Sequence, residues 1–186
     1  MNQSDNLSVC VFCGSSFGAS SSYRQSAENL GEILAQFKTR LIYGGGNEGL
    51  MGALASKYLQ GRNDLKGIMP FFLKDMIRLE LNSNHIFVED LGERKKMMSD
   101  QADLFIALPG GIGTFDEVFE ILAIQQLNIS NKPIGLLNVK NFFNPFLDLL
   151  AHLEQEGFLR DQYKKRLFLE TSPLRLLKLL INNINE

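Results

Sequence analysis

The stretch Leu104–Glu120 constrains the fold more than any other part of the sequence. It opens with five apolar residues, a run short enough for a strand that is buried on both faces of a parallel sheet. Pro109 ends this run, and three glycines within 110–113 allow a sharp turn that can approach a ligand closely. Thr114 and Glu117 then form the pattern of a capping box at a helix start. The stretch therefore predicts a strand, a glycine turn and a helix N-terminus, an arrangement that favours phosphate binding.

The rest of the chain alternates between short apolar runs and segments in which apolar residues recur at helical spacing. The predicted strands are 7–12, 40–43, 65–69, 85–88, 104–108, 134–137 and 167–169. The predicted helices are 22–37, 49–60, 93–101, one that starts at the capping box, 142–156 and 172–182. Residues 71–84 fit either a short helix or a mobile flap. This order predicts an α/β fold, a Rossmann-like doubly wound parallel sheet with helices on both faces, in one nucleotide-binding domain over residues 1–186.

Three turns of small residues follow predicted strands, at 13–16, 44–46 and 109–113. Ligands of such sheets bind beyond the carboxyl ends of the strands, so the three turns are expected to converge on one site. The turn after the first strand does not match the dinucleotide pattern G-x-G-x-x-G, and the chain lacks the G-x-x-x-x-G-K-[ST] phosphate loop. A mononucleotide, with its phosphate at 110–114, is therefore the better fit.

Charge and composition argue against several other classes of function. The net charge of −2 gives no basic field for nucleic acid, and no apolar run approaches the ~20 residues that span a bilayer. The first ten residues lack the pattern of a signal peptide, so a cytoplasmic protein without membrane contact is expected. Cys10 and Cys13 have the spacing of a redox or zinc pair, but two buried small apolar side chains are the favoured interpretation.

The segment Pro109–Glu117 resembles the P-G-G-x-G-T-x-x-E signature of the Lonely Guy family, whose members are often mislabelled lysine decarboxylases. Four further segments resemble the family in the same order along the chain, and the likeness covers roughly residues 8–160. These segments are 11–16 (VFCGSS), 43–46 with 49–52 (YGGG and GLMG), 93–95 with Met98 (ERK), and 132–138 (KPIGLLN).

The resemblance implies a phosphoribohydrolase that splits a cytokinin riboside 5′-monophosphate, or AMP, into the free base and ribose 5-phosphate. It implies no metal or organic cofactor, and it implies a homodimer or higher homo-oligomer. Arg94 and Glu117 would be catalytic. The candidate substrate-binding residues are Ser15, Gly45, Gly46, Lys95, Met98, Gly110, Gly111, Ile112, Gly113, Thr114, Phe115 and Asp116.

The chemistry of the reaction suits these residue types. Breaking an N-glycosidic bond builds positive charge on the ribose, which a carboxylate such as Glu117 can stabilise while it orients a water molecule. Asp116 is adjacent in sequence, but neighbouring residues on a helix diverge by about 100°, so the two acids are not expected to face one bond. Arg94 stays charged and is expected to donate hydrogen bonds to the ribose, base or phosphate.

Purely structural interpretations remain open for each of these residues. Thr114 and Glu117 could serve only as a helix cap, residues 44–46 could be only a tight turn, and Arg94 and Lys95 could be ordinary solvated charges. Met97, Met98 and the pair Phe71–Phe72 could belong to the core. A non-catalytic nucleotide sensor or carrier on the same fold is the second hypothesis, and amino-acid decarboxylation is third, because no lysine is identified as a pyridoxal phosphate site.

Some segments differ from the family pattern. Leu91-Gly92 stands where the family often has Met-His, and residues 123–128 replace the family's Thr-Trp-Ala-Gln-Leu-Gly. A family glutamate after the third strand has no clear counterpart among Asp75, Met76 and Glu80. The preferred base is therefore left open.

Overall fold

The computed structural model describes residues 7–76 and 84–184, without the side chains of Asp75, Met76 and Gln162. Within this part of the chain the strands lie side by side in one parallel sheet. The strands are β1 Ser8–Phe12, β2 Arg40–Tyr43, β3 Leu65–Pro70, β4 Asn84–Val88, β5 Leu104–Ala107, β6 Ile134–Leu137 and β7 Leu167–Glu170. Their order is β4-β3-β2-β1-β5-β6-β7, and every pair is parallel. The predicted Rossmann-like α/β fold is confirmed.

Helices cover both faces of this sheet. They are α1 Ser21–Gln36, α2 Gly49–Leu59, α3 Leu91–Gln101, α4 Ile112–Gln126, α5 Asn144–Gln155 and α6 Pro173–Asn182. One apolar cluster lies between the sheet and α1, α2 and α6, and a second lies between the sheet and α3, α4 and α5. Val9 and Val11 of β1 belong to the first cluster and Cys10 and Phe12 to the second, as the alternation of side chains along a strand requires.

The sheet reverses its direction of growth at β1. From β1 the chain builds outward to β4, and it then returns to place β5 on the other side of β1. A crevice at the carboxyl ends of β1 and β5 is the usual ligand position in such a sheet. The loops that follow these two strands are joined there, because the backbone N–H of Gly14 donates to the carbonyl of Pro109 at 3.1 Å.

The predicted capping box at Thr114 and Glu117 is wrong. Helix α4 begins two residues earlier, at Ile112, with Gly111 as its N-cap and no side-chain hydrogen bond at the cap. Thr114 is therefore inside the first turn, where it is buried against Gly110, and Glu117 lies a turn further on. The helix starts early because Gly111 has an extended backbone (φ −94°, ψ −156°) that ends the glycine turn by itself.

Two other helix starts differ from the prediction for local reasons. Helix α3 begins at Leu91 rather than at Glu93, because Asp90 caps it by accepting a 2.8 Å hydrogen bond from the backbone of Glu93. Helix α5 begins at Asn144 rather than at 142, because a 3₁₀ turn over Val139–Asn141 with positive φ angles precedes it. The segment Phe71–Met76 forms a 3₁₀ helix, whereas residues 77–83, including Glu80, lie outside the described part.

The leucine-rich helices pack onto the sheet. Leu176, Leu177 and Leu180 of α6 are buried in the first cluster, and Phe146 and Leu150 of α5 are buried in the second. Both helices therefore cover the sheet.

Candidate active site

The loops after β1 and β5 approach each other so closely that glycine is required between them. A Cβ on Gly110 would collide with the Thr114 hydroxyl and lie 2.9 Å from the backbone nitrogen of Gly14. Helix α2 joins the same place, since the backbone N–H groups of Leu50 and Met51 donate to the carbonyl of Gly14 at 3.1 and 3.4 Å. The lack of a side chain at Gly110 therefore allows the two loops to pack together at the floor of the crevice.

The first turn of α4 is open above this floor. A Cβ built on Gly111 or Gly113 meets no atom within 4 Å, and the side chain of Ile112 is 90% exposed. The first N–H groups of a helix have no partner within the helix, and here no side chain caps them. The helix dipole adds partial positive charge at this end, so the turn offers an anion both donors and a favourable potential.

A buried ion pair lies beside the open turn. Arg94 Nη1 of α3 and Glu117 Oε1 of α4 are 3.0 Å apart, with the side chains 16% and 7% exposed. Arg94 also donates from Nε to the carbonyl of Ile68 in β3 at 3.0 Å. Both predicted catalytic residues thus meet at the carboxyl ends of the central strands, on adjacent helices.

The second glycine turn, residues 44–46, makes room for the guanidinium of Arg94. A Cβ on Gly44 would collide with Arg94 Nη2. Gly45 has a φ angle of 82°, which favours glycine, and its carbonyl lies 2.9 Å from Nε2 of His85 in β4. Residues 44–46 are therefore a tight turn that also serves the site, by setting where Arg94 can lie.

Burial makes the carboxyl group of Glu117 unusually basic. Desolvation raises its pKa from 4.5 to about 7, against the opposing effect of the positive charge on Arg94. Negative charge on Asp116 and Glu120 raises the pKa further, and Lys95 lowers it. A buried carboxyl group that changes charge near neutral pH beside a charged partner is typical of an active site.

Lys95 is held by two carboxylates on α4. Its Nζ lies 3.0 Å from Asp116 Oδ2 and 2.7 Å from Glu120 Oε2. Asp116 therefore turns away from Glu117, as the angle between neighbouring helical residues predicts. Glu120 is the residue that sequence reasoning missed, although its spacing of three from Glu117 places it on the same side of α4.

The structure separates the other candidate residues into exposed and buried groups. Ser15 is exposed on the loop after β1, and Gly46 is buried against Met51. Met98 is 1% exposed and packs within the second apolar cluster, and its contact with the substrate stays a prediction. The half-buried Phe115 stacks on Phe142, so its side chain supports the turn from behind.

A cavity of about 190 Å³ adjoins the glycine turn on its α1 side. Gly110 and Gly111 line it together with Ser16, Tyr23, Leu50 and Phe142. The space beside the open N-terminus of α4 is thus polar at the turn and apolar opposite it.

Segment 123–128, which departs from the family pattern, lies at the opposite end of α4 from the glycine turn. Helix α4 has 15 residues, so its two ends are roughly 20 Å apart. Gln125 is buried there and donates to the carbonyl of Lys132 at 2.8 Å. Gln125 therefore packs at the end of α4.

Cys10 and Cys13 are both buried, and both are free thiols. They belong to opposite apolar clusters, on the two faces of the sheet, and burial raises the pKa of each thiol. The interpretation as buried apolar side chains is confirmed. Across the described ranges 7–76 and 84–184, no three His, Cys, Asp or Glu side chains cluster as a metal site would need, and no helix has the length and apolarity to cross a bilayer.

Comparison with known proteins identifies the family. A family model described as "Possible lysine decarboxylase" matches residues 51–180. The chain is also 39% identical, over 176 residues, to a probable cytokinin riboside 5′-monophosphate phosphoribohydrolase of Oryza sativa subsp. japonica, covering 92% of this chain and 71% of that protein. The chain belongs to the Lonely Guy family.

Two further proteins are similar to this chain, one in sequence and one in fold. A cytokinin riboside 5′-monophosphate phosphoribohydrolase of Rhodococcoides fascians is 39% identical over 162 residues, which cover 86% of this chain and 81% of that Lonely Guy protein. A solved molybdenum cofactor binding protein from Rippkaea orientalis has a TM-score of 0.71 at 21% identity, covering 97% and 98% of the two chains. The second likeness shows that the Lonely Guy fold is shared with that protein.

Proposed function

We propose that the protein is a nucleoside 5′-monophosphate phosphoribohydrolase that releases a free base and ribose 5-phosphate from a cytokinin riboside or adenosine 5′-monophosphate. The observation that carries this proposal is the buried Arg94–Glu117 pair beside the uncapped N-terminus of α4. The names of the relatives supply the reaction class, and the pair supplies groups that can perform it.

The phosphate of the substrate would bind at the first turn of α4. The backbone N–H groups of Ile112 and Gly113 would donate to it, and the helix dipole would stabilise its charge. The open space around Gly111 and Gly113 supports this position, since a Cβ there would meet nothing and an anion can approach. Ser15, exposed on the facing loop, could donate from its hydroxyl.

Glu117 would act on the ribose in its ionised form. As the bond between C1′ and the base nitrogen breaks, the electron pair leaves with the base and positive charge develops on the sugar. The carboxylate would stabilise that charge and orient the water molecule that adds to C1′. The base then gains a proton, and the products are the free base and ribose 5-phosphate.

Arg94 would hold both the substrate and Glu117. The Ile68 carbonyl fixes its Nε and Glu117 fixes its Nη1, while its Nη2 lies beside Gly44. A guanidinium can donate to a ribose hydroxyl or a phosphate, but it does not accept a proton at physiological pH. Arg94 is thus proposed as a hydrogen-bond donor that also favours the ionised form of Glu117.

A base-release assay tests this proposal. Purified protein is incubated with AMP, with isopentenyladenosine monophosphate and with adenosine, and free base and ribose 5-phosphate are measured by chromatography. We expect equal amounts of base and sugar phosphate from at least one monophosphate, and at least 100-fold slower release from adenosine. Glu117→Gln should abolish turnover but retain binding, whereas Glu32→Gln, an exposed control on α1, should be fully active.

The same assay separates the alternative function, a nucleotide sensor or carrier. Saturable binding of both monophosphates without base release would support that alternative and overturn the hydrolase. The raised pKa of Glu117 favours the hydrolase, because a binding protein gains nothing from burying an ionisable carboxyl group beside the ligand.

We also propose that the protein acts in the cytoplasm as a homodimer. Exposed apolar side chains along and after α4 support an association surface. The exposed fractions are 90% for Ile112, 39% for Phe119, 68% for Leu127 and 71% for Ile129. The chain has a mass of 20.9 kDa, and light scattering after size exclusion should give twice that mass. A monomeric mass at micromolar concentration would contradict the proposal.

A further inference from the structure

The outer ion pairs between α3 and α4 involve a residue that the catalytic scheme leaves without a role. Glu120 Oε2 lies 2.7 Å from Lys95 Nζ, and the two side chains are 28% and 20% exposed. Asp116 completes the cluster at 3.0 Å, but its side chain is 55% exposed. Glu120 is therefore the closer and better shielded of the two partners of Lys95.

Two members of this outer cluster border the same small cavity as Glu117. Lys95 and Glu120 line a cavity of about 10 Å³ together with Glu117, Phe12 and Ile121. Such a space holds at most about one water molecule, so little solvent separates the three charged groups. Charges that face each other across so little water interact strongly.

The position of Glu120 follows from the helical repeat. It lies three residues after Glu117, on the same side of α4, and Lys95 follows Arg94 on α3. The inner pair Arg94–Glu117 and the outer pair Lys95–Glu120 are thus neighbouring links between the same two helices.

We propose that the opposite charges of Lys95 and Glu120, held beside Glu117 by their ion pair, together set the pH range in which Glu117 is charged and active. This inference rests on the proposed hydrolase function. It concerns the charge of Lys95 beside Glu117, which is separate from the direct contact with the nucleotide that the resemblance implies for Lys95.

The electrostatic surroundings of Glu117 make the direction of the effect definite. The charged or titratable groups that face it are Arg94 and Lys95 on α3, Asp116 and Glu120 on α4, and the buried thiols of Cys10 and Cys13 at β1. Lys95 lowers the pKa of Glu117, whereas Glu120 raises it. Removing either charge should therefore shift the acid side of the activity profile, in opposite directions.

The experiment measures kcat/KM for AMP against pH in four variants. Lys95→Met should move the acid limb to higher pH by about 0.5 unit or more, and Glu120→Gln should move it to lower pH. The double variant Lys95→Met/Glu120→Gln should return the limb toward that of the wild type, and Lys95→Arg should leave it in place. Lys96→Met is the matched control, because Lys96 pairs with Asp100 on the outer side of α3 and should not alter the profile.

Other outcomes overturn the inference. A rise in KM for Lys95→Met with an unmoved acid limb would show that Lys95 binds the nucleotide directly. Shifts of both single variants in the same direction would show a merely structural effect.

A second readout does not need turnover. The carboxyl carbon of Glu117, assigned by comparison with Glu117→Gln, can be titrated by ¹³C NMR in the ligand-free protein, and it should show the same opposite shifts. If the wild type releases no base, the proposed function fails, yet this titration still decides whether Lys95 and Glu120 control the charge of Glu117.

Discussion

Helices α2 and α4 both follow a glycine turn at the carboxyl edge of the sheet, but the two turns use glycine for different purposes. At α2 the glycines are crowded: Gly49 has a φ angle of 58°, and a Cβ there would collide with the Ser15 backbone. At α4 a Cβ on Gly111 or Gly113 would meet nothing within 4 Å.

The N-terminal N–H groups of the two helices differ in the same way. Those of Leu50 and Met51 in α2 are taken up by the carbonyl of Gly14. Those at the start of α4 have no side-chain cap and face the crevice. The comparison teaches that glycine at the start of α2 permits close packing, whereas glycine at the start of α4 leaves the turn accessible.

The largest expected effect is therefore on stability, at Gly49. Gly49→Ala places a Cβ against the Ser15 backbone at a positive φ angle, and it should lower the free energy of unfolding by about 3 kcal/mol. Urea denaturation measures the change. Gly113→Ala, the matched change in the first turn of α4, should leave stability within about 1 kcal/mol. Equal losses in the two variants would break the comparison.

The next effect is on binding, at Gly111. Gly111→Asp supplies a good N-cap, so the fold should be kept, but its carboxylate would occupy the site proposed for the phosphate. AMP affinity, measured by calorimetry, should fall at least tenfold. Gly111→Asn is the control that caps without charge, and it should lose less affinity at low ionic strength. An unchanged affinity in Gly111→Asp would place the phosphate elsewhere.

A third effect concerns what each helix buries. Helix α2 buries Tyr58, whose hydroxyl bonds to the carbonyl of Thr39 at 2.6 Å, whereas α4 buries Glu117. Because folding raises the pKa of Glu117 to about 7, the folded state holds its proton more tightly than the unfolded chain does. Stability from this group is present below about pH 4.5 and is lost as the pH rises through 7.

Urea denaturation between pH 5 and pH 8 measures this loss. The wild type should lose stability relative to Glu117→Gln across that range, by something on the order of 2 kcal/mol. Tyr58→Phe should be less stable than the wild type by about 1 kcal/mol, with no dependence on pH over the same range. A pH-independent difference for Glu117→Gln would mean that the carboxyl group is not buried as the structure has it.

Much of this fold follows from local sequence patterns. Strand β6 and strand β2 have the predicted bounds, because each is a short apolar run between turn residues that tertiary contacts do not override. The start of α4 differs from the predicted one. A Thr and a Glu three residues apart match a capping box whether or not the chain is already helical before them. Only the extended backbone of Gly111 decides where that helix begins.

The site was predictable in its parts rather than in its arrangement. The pairing of Arg94 with Glu117 could be expected from the family resemblance, which named both residues. The contacts of Gly44 with Arg94 and of Glu120 with Lys95 join segments far apart in the chain, and no spacing in the sequence predicts which side chains meet there. Met98 illustrates the reverse: the family resemblance placed it in the site, but it lies a full helical turn after Arg94 on the same face of α3, where it packs in the second apolar cluster.

The measurement that tests the central claim most directly is the stoichiometry of AMP cleavage, with binding measured in parallel. The wild type should release one adenine for each ribose 5-phosphate, and Glu117→Gln should bind AMP with similar affinity while releasing adenine at least 1,000-fold more slowly, a loss of about 4 kcal/mol in transition-state stabilisation. Adenine release by Glu117→Gln at the wild-type rate would contradict the account, because the carboxylate would then have no part in the chemistry.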